Sequence, residues 1–253
     1  QPSRGLGDVY KRQVTDGYNA GHGLPFDSEG MKERYPDIFF SQFTGAELVA
    51  DKWNLSREDL DQFALESHQK AAQATESKYF DKEILPVEGK NAEGINDLVM
   101  ADEGIRFDAS LDKLAGLNPV TEGGKITAGN ASQITDGAAA VLICNDAGLK
   151  KIKSNPRAEI VSISVVGDDP VFMLTGPIPA SHKALDIAKL SIEDMDIYEV
   201  NEAFAPVPLA WAAELQADRN KLNVNGGAMA LGHPLGATGA KLMTTMLHEL
   251  ERR

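Results

Sequence analysis

The chain has 253 residues, of which 42% are hydrophobic and 25% are charged. This is ordinary usage for a globular protein, and the length suffices for one large domain or two smaller ones. The formal charge of −13 argues against nonspecific binding to nucleic acid or to anionic membranes, because both favour basic surfaces. No apolar run approaches the roughly 20 residues that span a bilayer. A single cysteine, Cys144, excludes an intrachain disulfide framework and fits a reducing compartment.

The first residues differ in composition from the rest of the chain. Residues 1–13 mix Pro, Gly, Arg and Lys without periodicity, and we interpret them as a non-native or artefactual segment. They contain no hydrophobic region of a signal peptide, so they do not predict export. The fold prediction therefore rests on residues 14–253.

Two consecutive helices are predicted in the first third of the chain. Thr44–Glu47 has the spacing of a capping box with apolar residues behind it, and Ser56–Asp59 opens a second helix. Between about residues 78 and 127, short apolar pieces alternate with clusters of Gly, Asn and Asp. This alternation indicates a loop-rich section with short strands.

Strands and helices are predicted to alternate from residue 138 onward. Ala138–Cys144 is a continuous apolar run typical of a strand buried on both faces, and Glu159–Val166 and Asp196–Val200 are further strand candidates. Helices are predicted over Pro179–Leu190 and Ala237–Leu250. The apolar side of the second helix comprises Ala240, Met243, Leu247 and Leu250. The alternation predicts an α/β domain.

The most informative stretch is a glycine-dense loop around one histidine, His233. Glycine removes side chains where a substrate or neighbouring backbone must come close, and Pro234 stiffens the residue that follows the histidine. Histidine can exchange a proton near neutral pH and can donate a hydrogen bond to developing negative charge. We therefore predict an active-site loop, although the pattern alone also fits a glycine-rich turn with a structural histidine. The glycines of this loop are Gly226, Gly227, Gly232, Gly236 and Gly239.

Two other segments are candidates for contact with a ligand. Asn201 follows a predicted strand, where ligands commonly bind in α/β sheets, and its amide could hold a water molecule or stabilise an oxyanion. The alternative is that Asn201 only caps a helix. Thr127–Gly137 is a second small-residue loop, which either contacts a polar ligand or makes a tight crossover into a central strand.

The cysteine and the remaining histidines predict no further chemistry. Cys144 ends an apolar run, so we predict an inert core position, because nothing local supplies the base or helix N-terminus that a thiolate needs. His68 and His248 lie in predicted exposed helices. The histidines of the chain have no metal-ligand spacing, so no metal site is predicted. They are His22, His68, His182, His233 and His248.

Four motifs taken together resemble the thiolase family in their order and separation. They are Gly129–Ser132, Gly176–Ala180, Asn201–Phe204 and Gly226–Pro234. The resemblance covers about residue 44 to the end, and more weakly the stretch from Val14. It favours the catalytic interpretations of Asn201 and His233 over the structural ones. It implies acyl transfer on coenzyme A, as thiolytic cleavage of 3-ketoacyl-CoA or Claisen condensation of acetyl-CoA in fatty acid metabolism. The alternative is a non-catalytic thiolase-like protein that binds acyl-CoA.

The resemblance also implies a layered αβαβα fold, which would be incomplete in this chain. Residues 14–134 would form the loop domain that covers coenzyme A, and residues 135–156 the last strand and helix of the N-terminal half. Residues 157–253 would form the C-terminal half without its final strands, so both ends are expected to be truncated. A cytoplasmic homo-oligomer, dimer or tetramer, is implied, with coenzyme A as substrate and no permanently bound cofactor.

The family's chemistry can be carried over to individual residues. In thiolases a cysteine attacks the acyl group, a histidine activates it, and a second cysteine moves protons at the acetyl α-carbon. His233 matches the histidine, and Asn201 matches the amide that holds a water molecule. Neither cysteine is expected within residues 1–253, so this chain alone is predicted to be inactive.

Further positions match the family's binding residues. Arg106 and Ser132 match coenzyme A contacts, and Ala128 matches a residue of the pantetheine tunnel. The matches to acyl-pocket residues are Met173, Ala203 and Phe204, and Gly226, Gly227, Gly232 and Pro234 complete the predicted loop. The sequence departs from the family pattern at Val120 and at Ser41–Gln42. These departures leave the substrate preference open.

Overall fold

The computed structural model describes residues 16–24, 26–90 and 94–253. The segment predicted to be non-native, residues 1–13, lies outside the described residues. The main helices are α1 (Glu29–Arg34), α2 (Gln42–Lys52), α3 (Arg57–Glu76), α4 (Leu111–Ala115), α5 (Asp146–Ile152), α6 (Pro177–Ala188), α7 (Pro206–Leu215), α8 (Ala228–Leu231) and α9 (Thr238–Arg252). Strands β1 (Val87–Lys90) and β2 (Asn96–Val99) pair antiparallel, with Val87 opposite Val99. This hairpin and α4 confirm the loop-rich section with short strands.

The two predicted N-terminal helices are present, but the first begins earlier than its capping pattern indicates. The N-cap of α2 is Ser41, whose hydroxyl accepts a hydrogen bond from the backbone N–H of Phe43. The Glu47 carboxylate accepts from the backbone N–H groups of Lys125 and Ile126 instead of closing a capping box with Thr44. Glu47 therefore ties α2 to a distant loop, and the capping prediction for Thr44 is wrong.

Helix α3 begins where the sequence predicts. Ser56 accepts from the N–H of Asp59, and the Asp59 carboxylate accepts from the N–H of Ser56, which completes the capping box. Its Leu60 and Phe63 belong to the main apolar core together with Trp211 of α7 and Leu222. Helix α7 is buried along most of its length, as expected for a helix that is apolar on all sides. The main core thus includes residues of α3 and α7, and Asn201 lies in the segment before α7.

Three predicted strands are not strands in the structure. Ala138–Cys144 and Glu159–Val166 have no regular secondary structure, and Asp196–Val200 forms only an isolated parallel bridge between Tyr198 and Leu222. Leu142 is 78% exposed and Val165 is 82% exposed. A strand needs neighbouring strands to satisfy its backbone groups, and the described part of the chain supplies none beside the first two segments. The prediction that Cys144 is buried fails for the same reason, since its side chain is exposed.

The C-terminal helices match their predictions in extent but not in burial. Helix α6 starts at Pro177, two residues before its predicted start at Pro179. Asn145, directly after the apolar run, is the N-cap of α5. In α9 the buried residues include Thr245 and Glu249, whereas Met243, on the predicted apolar side, is exposed. Within the described residues, no helix has both the length and the apolar character needed to cross a membrane.

Candidate active site

The two residues predicted to be catalytic lie next to each other. The side-chain nitrogen Nδ2 of Asn201 is 3.4 Å from Nε2 of His233. The other amide atom, Oδ1 of Asn201, is buried and has no hydrogen-bond partner among the described residues. Asn201 does not cap a helix, because α7 begins at Pro206 with Ala205 as its N-cap. Its amide therefore lies beside the histidine with a buried carbonyl oxygen that is unsatisfied within the described residues.

His233 is held from its backbone and from its second ring nitrogen. Its backbone N–H donates to the carbonyl of Gln133 at 3.1 Å. Its Nδ1 lies 2.7 Å from Oγ1 of Thr238, the first residue of α9, and that hydroxyl also donates to the carbonyl of Pro234 at 3.1 Å. The side chain of Gln133 donates to the carbonyls of Gly104 and Met229. The imidazole is thus placed by contacts on two sides of the loop.

The glycines of this loop permit close approaches that a side chain would prevent. Gly232 has a φ of +82°, and a Cβ atom there would lie 2.4 Å from Oγ1 of Thr135. A Cβ atom on Gly227 would lie 2.3 Å from the carboxyl carbon of Glu202. Gly232 thus needs glycine for its backbone conformation, and both positions need it for space.

A buried carboxyl group, Glu202, joins three parts of the site. It accepts hydrogen bonds from the hydroxyl of Ser67 at 2.6 Å, the amide of Asn223 at 2.8 Å and the backbone N–H of Met229 at 3.2 Å. Burial raises its pKa, while these hydrogen bonds act in the opposite direction. Glu202 follows Asn201 directly, so it links the Asn201 segment to α3 and to the glycine loop.

One residue predicted to contact coenzyme A, Ser132, and two predicted to line the acyl pocket, Ala203 and Phe204, meet at a short antiparallel pairing. Ala131 and Phe204 form an isolated bridge, and the backbone N–H of Ser132 donates to the carbonyl of Ala203 at 2.9 Å. The Phe204 ring packs edge-on against Phe43 of α2, with ring centroids 5.4 Å apart. Ala203 and Phe204 follow Asn201 closely in the sequence, and the backbone pairing places Ser132 beside them.

The remaining predicted binding residues lie on separate loops. Arg106 is exposed, and its backbone N–H donates to Nδ1 of His68 at 3.1 Å. His68 is buried, contrary to its prediction as an exposed helical residue, and burial lowers its pKa to about 4. Ala128 is exposed, and Met173 is half-buried with a φ of +58°. Pro234 is buried directly after His233.

Two cavities lie near these elements, and neither includes His233 in its lining. One of about 290 Å³ is bordered by Lys52, Trp53 and the start of α6. The other, of about 10 Å³, lies beneath the glycine loop beside Glu199, Thr238 and Lys241. Both carboxyl oxygens of Glu199 are buried without a hydrogen-bond partner in the described part of the chain. Burial raises the pKa of Glu199 well above its ordinary value.

The positioning residues Gln133, Ser67, Glu202 and Thr238 were not predicted from the sequence. Glu202 lies inside a recognised motif, but its partner Ser67 is distant in the sequence. Thr238 lies just after the last motif, and its contact with His233 depends on how the chain turns after Pro234. A charged residue beside the apolar Ala203 and Phe204 is the one sequence signal that could have indicated Glu202.

Family models of the thiolase N-terminal and C-terminal domains match residues 19–147 and 154–253. The chain is 53% identical over 226 residues to the steroid 3-ketoacyl-CoA thiolase FadA6 of Mycobacterium tuberculosis, covering 89% of this chain and 54% of that protein. The crystal structure of the Bacillus anthracis acetyl-CoA acetyltransferase matches with a TM-score of 0.81 at 42% identity, covering 86% of this chain and 55% of the other. That of human mitochondrial 3-ketoacyl-CoA thiolase in complex with CoA matches with a TM-score of 0.79 at 45% identity, covering 83% and 52%.

The chain therefore belongs to the thiolase family. It spans about half the length of these relatives. The similarity to the solved structures confirms the predicted thiolase-like fold class, even though three of the segments predicted as strands form no hydrogen-bonded ladder in the described residues.

Proposed function

We propose that the protein containing this chain is a thiolase-type acyltransferase, which cleaves 3-ketoacyl-CoA with coenzyme A or condenses acetyl-CoA units in the reverse direction. The observation that carries the proposal is the 3.4 Å approach of the Asn201 amide to Nε2 of His233. Membership of the thiolase family and the CoA complex of the human relative support the same reaction class.

His233 would act as the base that takes the proton of the attacking thiol. With that proton on Nε2, the imidazolium could donate a hydrogen bond to the thioester oxygen as this oxygen gains enolate character. The Asn201 amide would hold a water molecule at the same oxygen, since Oδ1 has no partner within the described chain. Together these two side chains supply the base and the oxyanion stabilisation.

The thiol itself is expected from outside residues 1–253, so this chain alone would lack thiolytic activity. The chain has one cysteine, Cys144, which by the family resemblance is neither the nucleophile nor the second cysteine. Coenzyme A-dependent cleavage of acetoacetyl-CoA by the purified 253-residue chain would overturn this part of the proposal.

Binding of acyl-CoA is assigned to the loops around this pair. Arg106, Ser132 and Ala128 would contact coenzyme A, and Met173, Ala203 and Phe204 would line the acyl pocket. Coenzyme A is a substrate in this proposal, and no other cofactor is required. The protein is further proposed to be a homo-oligomer located in the cytoplasm. Sedimentation would check its oligomeric state, and cell fractionation would check its location.

The test compares the protein expressed from the complete reading frame with two of its variants. His233→Gln removes the base and Asn201→Ala removes the amide, and each is expected to lower kcat for acetoacetyl-CoA cleavage by roughly 10²- to 10³-fold. Coenzyme A binding by calorimetry serves as the folding control for each variant. If the unsubstituted protein binds coenzyme A but turns over no 3-ketoacyl-CoA, the catalytic proposal fails and a non-catalytic acyl-CoA-binding protein replaces it.

A further inference from the structure

The hydroxyl of Thr238 lies between the imidazole of His233 and the carbonyl of Pro234. We propose that Thr238 is a positioning residue that holds neutral His233 in the tautomer with its proton on Nδ1, so that Nε2 carries the lone pair. The catalytic meaning of this inference rests on the proposed function, in which Nε2 is the base.

The first argument is the number of hydrogen atoms at Thr238. A hydroxyl group has one hydrogen to donate and two lone pairs to accept with. Oγ1 of Thr238 donates to the Pro234 carbonyl at 3.1 Å, the usual contact of a helical threonine with the carbonyl four residues earlier. Toward His233, 2.7 Å away, the same oxygen can then only accept. The proton in that contact therefore belongs to Nδ1 of His233.

The second argument comes from the opposite edge of the ring. The atom 3.4 Å from Nε2 is Nδ2 of Asn201, an amide nitrogen that only donates. A donor on this side needs a lone pair on Nε2, which the Nδ1-protonated tautomer provides. The other tautomer would require the Thr238 hydroxyl to leave the Pro234 carbonyl and the Asn201 amide to turn over. Both edges of the imidazole thus favour the same proton position.

Thr238 is well suited to impose this state because it is fixed itself. It is buried, it is the first residue of α9, and its backbone N–H donates to the same Pro234 carbonyl at 3.0 Å. Its β-branched side chain has few rotamers. The hydroxyl therefore faces Nδ1 before any substrate binds. A histidine with its lone pair already on Nε2 needs no proton rearrangement before it accepts the thiol proton.

The test measures the tautomer directly in the 253-residue chain. The probe is ¹⁵N-histidine labelling with ¹⁵N chemical shifts measured by magic-angle-spinning solid-state NMR, which separates protonated from unprotonated ring nitrogens whether or not the chain self-associates. The sample is prepared at a pH where the ring is neutral, and the His233 signals are assigned with His233→Gln. The expected result for the unsubstituted chain and for Thr238→Ser is a protonated Nδ1 and an unprotonated Nε2. Thr238→Val keeps the shape but removes the hydroxyl, so we expect a shift toward the Nε2-protonated form.

Two results would overturn the inference. One is a protonated Nε2 in the unsubstituted chain, which needs no variant and so remains decisive if Thr238→Val does not fold. The other is an unchanged tautomer in a Thr238→Val chain whose circular dichroism shows that it is folded. Because the spectra are recorded without substrate, the result is independent of the proposed reaction. An Nδ1-protonated His233 in a complete protein without thiolase activity would refute only the proposed function.

Discussion

Gly232, directly before His233, has a backbone conformation that a side chain would strain. Gly232→Ala places a Cβ atom at a φ of +82° and 2.4 Å from Oγ1 of Thr135, so we expect the free energy of unfolding to fall by about 1–3 kcal/mol. The measurement is urea unfolding followed by circular dichroism.

The matched control for this prediction is Gly239→Ala. Gly239 lies in the first turn of α9, and a Cβ atom there would meet nothing within 4 Å. Alanine in a helix is favoured over glycine by roughly 0.5–1 kcal/mol, so this variant should be as stable as the original chain or more so. Equal losses in both variants would contradict the specific role of Gly232.

Glu199 makes the stability of the chain depend on pH. Its pKa in the folded state is raised above the ordinary 4.5 by burial, so the unfolded chain releases this proton at lower pH than the folded chain does. The stability from the protonated carboxyl is present below pH 4.5 and is lost as the pH rises through the folded pKa. Glu199→Gln should remove this part of the decline in the free energy of unfolding.

The measurement for Glu199 is urea unfolding at a series of pH values above 4.5. Glu122→Gln, at an exposed carboxyl, is the control and should leave the slope unchanged. An identical pH slope in Glu199→Gln and the original chain would show that the buried carboxyl is already ionised or relieved by water.

At the level of single residues, the sequence was most informative in the motifs that contain the proposed catalytic residues. The family motifs placed His233 and Asn201 together, and the structure brings their side chains to 3.4 Å. The supporting contacts could not be predicted, because Ser67 and Glu202 are 135 positions apart and meet only after α3 has packed against the Asn201 segment. Local patterns hold no information about such a distant pair.

The capping box of α3 stabilises the helix on which several site contacts depend. Ser56→Ala removes the side-chain acceptor for the Asp59 N–H, so we expect a loss of about 1 kcal/mol in the free energy of unfolding. Ser77→Ala is the control at the other end, because Ser77 caps through its backbone N–H, which alanine retains. Thermal or urea unfolding that gives equal stabilities for the two variants would contradict this account.

Helices were predicted more reliably than strands for a physical reason. The start of α3 and the cap of α5 are set by hydrogen bonds within four residues, which the local sequence contains. A strand is completed by neighbours that can be anywhere in the sequence, so Ala138–Cys144 has strand composition but no ladder in the described residues. The start of α2 was missed because Ser41 is its N-cap and Glu47 bonds to Lys125 rather than back to Thr44.

For the molecule as a whole, exposed apolar segments predict self-association. Ile163 and Val165 are exposed on a segment with strand composition, and exposed apolar patches of this kind promote association between chains. We expect the 253-residue chain to sediment as oligomers or aggregates at micromolar concentration. Ile163→Lys with Val165→Lys should shift it toward monomer.

Thr121→Lys is the control for added charge, since Thr121 is exposed and lies outside these segments. It should change sedimentation less than the double variant does. A monodisperse monomer of the unsubstituted chain in analytical ultracentrifugation would contradict the prediction.

Two adjacent residues of α3, Ser67 and His68, each hold one loop of the candidate site. Ser67 of α3 accepts from the N–H of Gly227 in the histidine loop, and His68, its neighbour, accepts from the N–H of Arg106. One turn of α3 is therefore a shared attachment point for both loops. If coenzyme A contacts Arg106 as proposed, any displacement of that loop on binding would act on the same turn of α3 that holds Gly227, close to the segment of His233.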